Sequence, residues 1–405
     1  MNILFLSTEN PYPLDGGHHL RTFNVLKILS KRNKIHFIGF AQNKKEKEDT
    51  NIIKQLCETV DIYLIPKTGY NFRFLLLTLK NVLSKSPLVA QKYLLKEAKN
   101  RIKLLIQEYD IDLIHIDMLP LSLYKNDFRN LPAILTNHNI ESLRLYRWMK
   151  LEKKLQIKAF LYYQYLKLKK FEQQMCPLFN RCIVVSDYDK KYLKQHCQTN
   201  NFVVIPNGVD IKYFKPSNGK VRNNHLVWVG AMVGPYNSDA VDYFLDEIWI
   251  LIKKQIPEVT IDFIGEAPTK KLRQNASEDL NIKTFGFVDD IRPIVQRASL
   301  FIAPIRSGSG TKIKVLNAMA LAKPVVATTI AAEGIDVIPE ENISIADNPS
   351  EFAKKVISLL TNQIMAKTIG QKARELIENK YSWEIIAKDI NLLYENYCNS
   401  ANKLR

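Results

Sequence analysis

The sequence predicts an α/β protein made of two consecutive parallel-sheet units. Short β-rich runs alternate with helix-patterned stretches from the first residue, the arrangement that βαβ units and a parallel sheet produce. The alternation breaks once, near residues 205–224, where Ile205-Pro-Asn-Gly-Val-Asp210 reads as a turn and Lys215–Asn224 is polar with Pro216 and Gly219. At 405 residues the chain is also long for one core, so two domains are expected.

Asn2–Ser7 is the first strand, followed by the turn-rich Asn10-Pro-Tyr-Pro-Leu-Asp-Gly-Gly17 and a helical pattern of Leu20, Phe23, Val25, Leu26 and Leu29. Strands are then expected at Ile35–Phe40, Val60–Ile65, Leu113–Asp117, Ala133–Thr136 and Cys182–Ser186. After the break they recur at His225–Gly230, Val259–Gly265, Ile282–Phe287, Leu300–Pro304 and Val325–Thr328. Trp383–Cys398 has helical periodicity and no strand after it. The expected division is 1–205, 206–382, and a C-terminal helix over 383–405 packing back toward the first domain.

Composition narrows the functional classes. The 46% hydrophobic and 24% charged residues are those of an ordinary globular chain. Lys and Arg number 58 against 41 acidic residues, a net charge of +17, which favours anionic partners such as nucleotides, lipid pyrophosphates or anionic head groups. Nucleic acid is not expected, because the chain carries no RNP, zinc-finger or helix-turn-helix signature. Five cysteines without a CxxC pair speak against a disulfide framework or zinc ribbon and for a cytoplasmic setting. Met1–Ser7 is short for a signal-peptide core, and Ala159–Leu166, the longest uncharged run of the basic middle, falls short of the about 20 residues a membrane span needs.

The most informative segment is Pro304-Ile-Arg-Ser-Gly-Ser-Gly-Thr-Lys-Ile-Lys-Val-Leu-Asn-Ala-Met-Ala320. A β-run ends in a loop with Gly308 and Gly310, and a helix is expected to begin near Gly310. Such a loop either cradles a diphosphate on backbone N–H groups and the helix dipole or is a plain βα turn. Gly310, Lys314 and Asn317 are then expected on one helix face. His138 follows the strand ending at Thr136, where it is either a site residue or a structural histidine. Glu333, beside Gly334, reads as a site residue or a turn residue. His18 and His19 are adjacent, but no carboxylate–histidine set has metal-ligand spacing.

Residues 302–335, IAPIRSGSGTKIKVLNAMALAKPVVATTIAAEGI, resemble the donor-site segment of family 4 glycosyltransferases, in the bacterial subgroup with a GSGTR-IK-LEAMA pattern. Other landmarks agree in order: Asp15-Gly-Gly-His18 with Arg21, Asn137-His-Asn-Ile-Glu-Ser142, Val185-Ser-Asp187, Ile205-Pro-Asn-Gly-Val-Asp-Ile-Lys-Tyr-Phe214 and Val229-Gly-Ala-Met232. The resemblance implies a GT-B fold, two Rossmann-like domains facing across a cleft. It implies transfer of a sugar from a UDP- or GDP-sugar to a glycan or lipid-linked acceptor with retention and without a metal or cofactor. It assigns Gly16, Gly17, Gly230, Gly308, Ser309, Gly310, Thr311, Lys312, Asn317 and Glu333 to the donor, and His138, Arg21 and Lys314 to the reacting centre. A role in surface polysaccharide or glycolipid synthesis follows from it.

Two departures stand out. Asn317 occupies a position where the subgroup keeps a glutamate, and an amide lacks the charge-assisted bond to a ribose. An Arg/Lys pair usual after the first strand of the second domain is replaced by Met232-Val-Gly-Pro-Tyr-Asn-Ser238, leaving Lys312 and Lys314 to supply its charge. A catalytically weakened protein that binds nucleotide or a partner without turnover is therefore the alternative reading. Arg144–Lys170 holds nine basic residues against Glu152. Arg144, Arg147, Lys150, Lys154 and Lys158 form one helical stripe, and a second patch spans Tyr70–Lys103 with Phe72, Arg73, Phe74 and Leu75. Either these dock on the anionic inner face of a membrane, or they are core-packing helices with solvated basic faces.

Overall fold

Each run predicted as a strand is a strand in the computed structural model. The structure describes residues 1–14, 16–66, 72–128, 130–217 and 219–401, with backbone only at 72–75 and 398–401. Asp15, Tyr70 and the side chains of Phe72, Arg73, Phe74 and Leu75, singled out above, lie outside that description. The chain divides into two units: Met1–Pro206 with Ile386–Arg405, and Asn207–Ile385.

Unit 1 holds β1 (Asn2–Ser7), β2 (Lys34–Ala41), β3 (Thr59–Leu64), β4 (Leu113–Asp117), β5 (Ala133–Asn137), β6 (Arg181–Val184) and β7 (Phe202–Val204). They form one parallel sheet in the order β3-β2-β1-β4-β5-β6-β7. Ile3, Leu4, Phe5 and Leu6 are all fully buried, because helices cover both faces of a parallel sheet and leave its central strands no solvent side. Unit 2 holds β8 (His225–Val229), β9 (Thr260–Ile264), β10 (Ile282–Phe285), β11 (Leu300–Ala303), β12 (Val325–Ala327) and β13 (Ser344–Ile345). Its order is β10-β9-β8-β11-β12-β13, again parallel.

Both orders share one property that matters for function. The winding reverses between β1 and β4 in unit 1, and between β8 and β11 in unit 2. At such a switch point the loops leave the carboxyl ends of adjacent strands in opposite directions and open a crevice. The sequence-selected residues after β1, β5, β8 and β11 all fall at these edges.

The C-terminal helix, Trp383–Ala401, buries Ile386, Ile390, Leu393 and Tyr394. Their spacing of four, three and one puts them on one stripe. Two expectations need correction. The donor-segment helix is Ile313–Ala320, capped by Lys312. Gly310 lies outside it, because its φ of +67° is not helical, so Gly310 does not share a helix face with Lys314 and Asn317. The basic stripe is also not one helix: Glu141–Leu151 and Leu155–Met175 are separate. Glu152 turns extended, and its carboxylate accepts the backbone N–H of Lys154 at 2.9 Å.

Candidate active site

In unit 1 the strand ends gather a buried polar cluster around Asp117, the last residue of β4. Asp117 Oδ1 lies 2.6 Å from His138 Nε2, and Oδ2 lies 3.2 Å from His18 Nε2. Thr22, one turn along the Gly17–Leu29 helix, donates its hydroxyl to Oδ2 as well. His18 Nδ1 faces Glu9 Oε2 at 3.3 Å, and His19 Nε2 faces the same oxygen at 2.9 Å. Asp117, His138 and Thr22 are buried. The residue after Asp117, Met118, has φ +94° and ψ 138°, a conformation rarely adopted outside glycine and typical of functional edges.

The charges of this cluster divide unevenly. Burial opposes charge on Asp117, yet the imidazoles around it, His138 and His18 by hydrogen bonds and His115 at 3.9 Å, hold its carboxyl well below the usual range. Burial would lower His18, but its bonds to Asp117 and Glu9 outweigh that and raise it to about 10. Burial wins at His138, lowering it to about 4 despite Asp117. At neutral pH His18 is therefore imidazolium and His138 neutral, so the His138 Nε2 proton points at the carboxylate. His18, Asp117 and His138 each place a ligand atom within 4.8 Å of the others, a carboxylate–histidine set that sequence spacing did not reveal. Its carboxylate oxygens are already taken by two imidazoles and a hydroxyl.

In unit 2 the loop after β11 and the turn after β8 meet at Lys314. The Lys314 ammonium sits 4.1 Å above the Trp228 ring and donates to Asn237 Oδ1 at 2.8 Å. Asn237 is held in turn by donating to Ala231 O at 2.6 Å. Gly230, φ +155°, leaves the space: a Cβ there would lie 2.3 Å from Lys314 Nζ. Burial and the neighbouring Lys312 lower Lys314 to about 7. Among the described residues no carboxylate pairs with it. Gly308 and Gly310 both have positive φ, so the loop takes a path that other residues resist. Thr311 Oγ1 donates to Gly334 O at 3.4 Å, and Lys312 Nζ to Gly310 O at 2.8 Å. Ser309 is buried, and Glu333 is half-buried next to Gly334. Among the described residues no side chain bonds the Asn317 amide, which lies one turn past Ile313 on the same helix.

The structure thus gathers Gly230, Gly308, Ser309, Gly310, Thr311, Lys312, Lys314 and Glu333 at one edge of unit 2. It places His138 in the polar cluster of unit 1, with Gly16 capping and Gly17 opening the helix that carries His18 and Thr22. Arg21 differs from expectation. Its guanidinium donates to Pro206 O at 2.7 Å and Ile205 O at 2.8 Å, and only 2% of the residue is exposed. Arg21 anchors the end of unit 1 through these two carbonyls.

Comparisons with known proteins settle the class. Residues 223–362 match the family described as Glycosyl transferases group 1, and residues 60–213 match Glycosyltransferase Family 4. An uncharacterized 44.6 kDa protein in the cps region of Klebsiella pneumoniae is 24% identical over 94% of this chain and 96% of its own. An uncharacterized glycosyltransferase of Methanocaldococcus jannaschii is 28% identical over 72% of this chain and 78% of its own. Sucrose-phosphate synthase from Thermosynechococcus elongatus superposes with a TM-score of 0.72 over 99% of this chain and 100% of its own, at 16% identity. Anabaena HepE in complex with UDP-glucose superposes with a TM-score of 0.65 over 98% and 100%, at 17% identity. The chain is a GT-B glycosyltransferase of the family 4 and group 1 type.

Several residues of this glycosyltransferase escaped sequence reasoning. Asp117 gave no signal because its partners lie 99 and 21 residues away, and Glu9, nine residues before His18, because the turn between them hides the pairing. Trp228 and Asn237 look like core and turn residues until Lys314 is placed between them. Arg306, within the glycine segment, clamps Asp239 through Nε at 3.1 Å and Nη2 at 2.7 Å and stacks 4.0 Å over Tyr243. That bidentate pair fixes the start of the Gly308–Gly310 loop.

Proposed function

We propose that the protein transfers a sugar, with retention and without a metal, from a UDP- or GDP-sugar to a glycan or lipid-linked acceptor in surface polysaccharide or glycolipid synthesis. The observation that carries this reading is the Lys314 ammonium, held without a carboxylate partner among the described residues and beside a loop of positive-φ glycines. A cation and backbone N–H groups preorganised at one strand edge meet the negative charge that develops on a leaving diphosphate. In this reading Gly308, Ser309, Gly310, Thr311, Lys312 and Lys314 hold the diphosphate. Asn317 bonds the ribose through its side-chain amide, Glu333 contacts the donor sugar, and Gly16 and Gly17 give the donor close backbone approach. His138 serves the reacting centre, with Asp117 fixing its tautomer as carboxylates do for catalytic imidazoles. The complex of Anabaena HepE with UDP-glucose supports a nucleotide-sugar donor. The saturation of Asp117 by His138, His18 and Thr22 supports a hydrogen-bonded relay over a metal centre.

Calorimetric titration with UDP, GDP and their sugar conjugates tests the donor site. Saturable binding of one nucleotide, weakened at least about tenfold in Lys314→Ala, is expected. Absence of binding by any of them would overturn the reading and favour a partner-binding protein. Asn317→Glu separates a full enzyme from a weakened one, since only a weakened site gains turnover.

A membrane-facing role for unit 1 is favoured by exposed apolar side chains. Leu79, Val82 and Leu83 on and after the Phe72–Val82 helix adjoin the Leu155–Met175 helix, where Tyr163 donates to Val82 O at 2.6 Å. Leu155, Ile157, Tyr162, Tyr163 and Leu166 are exposed there, among Lys80, Lys85, Lys153 and Lys154. In this reading the protein works at the cytoplasmic face of an anionic membrane. No helix among the described residues is long and apolar enough to cross one.

A further inference from the structure

His115, one pleat before Asp117 on β4, is buried at 1% exposure and belongs to no motif. Its ring lies flat on Phe5, with centroids 4.2 Å apart and planes 6° apart, and the Tyr394 ring stacks at 6.1 Å. Neither ring nitrogen is idle. Nδ1 bonds the Tyr394 hydroxyl, and Nε2 bonds Thr136 Oγ1 at 3.1 Å and lies 3.9 Å from Asp117 Oδ1. Tyr394 comes from the C-terminal helix, 279 residues along the chain, fixed by the Ile386, Ile390 and Leu393 stripe.

The tautomer follows from these neighbours. A carboxylate near Nε2 favours a proton on that nitrogen, so Nε2–H faces Thr136 and Asp117 while Nδ1 offers its lone pair. Tyr394 is then the donor to Nδ1. Burial and the Asp117 charge push its hydroxyl far above the usual phenol range, so the donor proton stays in place. Burial keeps His115 neutral. The Tyr394 hydroxyl, the His115 imidazole and the Thr136 hydroxyl are thus hydrogen-bonded in one direction, with the His115 Nε2–H 3.9 Å from the carboxylate that bonds His138.

We propose that Tyr394 is a positioning residue for the unit 1 site: by donating to His115 Nδ1 it fixes the His115 tautomer, and through Asp117 it fixes the His138 ring. The proposal rests on the reading of His138 as the reacting-centre histidine, but its primary test does not need turnover. Nitrogen-15 NMR of the histidine-labelled full chain reads both tautomers directly. In the unsubstituted protein His115 is expected as the Nε2–H tautomer with an accepting Nδ1.

Tyr394→Phe keeps the ring and removes the donor. The His115 nitrogen shifts are expected to change, and the His138 Nε2 proton resonance to move with them, while the melting temperature stays close to that of the parent. An unchanged His138 signal in a folded Tyr394→Phe protein would overturn the proposal. Thr136→Val provides the second arm by removing the Nε2 partner. If both act through His115, the double variant shifts His138 by less than the sum of the singles; strict additivity argues against the relay. With UDP-glucose as the probe, Tyr394→Phe is expected to lower kcat about tenfold, the loss of one buried hydrogen bond, with KM for the donor unchanged. Failure of the parent protein to use any nucleotide-sugar would count against the functional reading, and the NMR result would still decide the relay.

Discussion

Lys314 is a cation placed where its charge is costly. Its ammonium lies over Trp228 and against Asn237 Oδ1, and burial together with Lys312 brings it down to about 7. A nucleotide-sugar diphosphate is doubly esterified and does not titrate near neutrality, so the protein side alone sets the pH dependence of binding. The ammonium fraction falls as pH rises through about 7, and affinity for the donor falls with it. Calorimetry between pH 6 and 8 is expected to show that decline and proton uptake on binding. Lys314→Met abolishes both, and it raises the melting temperature because a buried charge is removed. Glu172 shows the same physics away from the site. It receives the Ser142 N–H at 3.0 Å and the Ser142 hydroxyl, yet burial pushes it up to about 7. Its folded value exceeds the ordinary one, so its stability contribution is complete at acid pH and is lost as pH rises through 7. The loss reaches about 3 kcal/mol at most, at about 1.4 kcal/mol per pKa unit. Thermal melts from pH 5 to 8 should show the fall, and Glu172→Gln should flatten it.

At the scale of elements, the donor helix is held from behind. The Ile313–Ala320 helix ends in a turn at Ala322, whose carbonyl would lie 2.2 Å from a Cβ at Gly370. That contact is with backbone, so it cannot be relieved by a rotamer change. Gly370→Ala is expected to cost about 2 kcal/mol or more, read as a lower urea midpoint, and to weaken nucleotide binding by shifting Lys314. The strands that carry these helices were legible because each is a buried apolar run between turn residues. β7 and β13, three and two residues long, are too short to show a period. The helix boundary at Ile313 was hidden, since a glycine at +67° and a glycine inside a helix read alike in one sequence. The Arg144–Lys158 stripe looked continuous because nothing in Leu151-Glu-Lys-Lys154 is a breaker; a side-chain bond from Glu152 interrupts it. Lys314 could be named from its motif, whereas the His18–Asp117–His138 cluster could not. Its members lie 99 and 21 residues apart, and only the β4 and β5 strand ends bring them together.

The whole molecule carries +17 and, in unit 1, apolar side chains that solvent should not keep uncovered. Leu83 is 93% and Leu155 80% exposed, each beside lysines. Charge alone would draw such a protein to any polyanion, reversibly and with steep salt dependence, since surface charges are screened over about 10 Å at 0.1 M salt. Leucines add a term that salt does not screen, because burying one in the acyl boundary is worth about 2 kcal/mol. The two contributions are therefore separable. The protein is expected to sediment with phosphatidylglycerol vesicles, less at 0.5 M than at 0.1 M NaCl, and not with phosphatidylcholine alone. Leu83→Glu combined with Leu155→Glu alters only exposed positions, so melting and nucleotide affinity should be unchanged while vesicle binding falls at least about tenfold. Undiminished binding by that variant would mean that the lysines act as a general polyanion surface. Absence of any salt-sensitive binding would mean that these helices face solvent or a protein, and an acceptor would then reach unit 1 without the membrane holding it there.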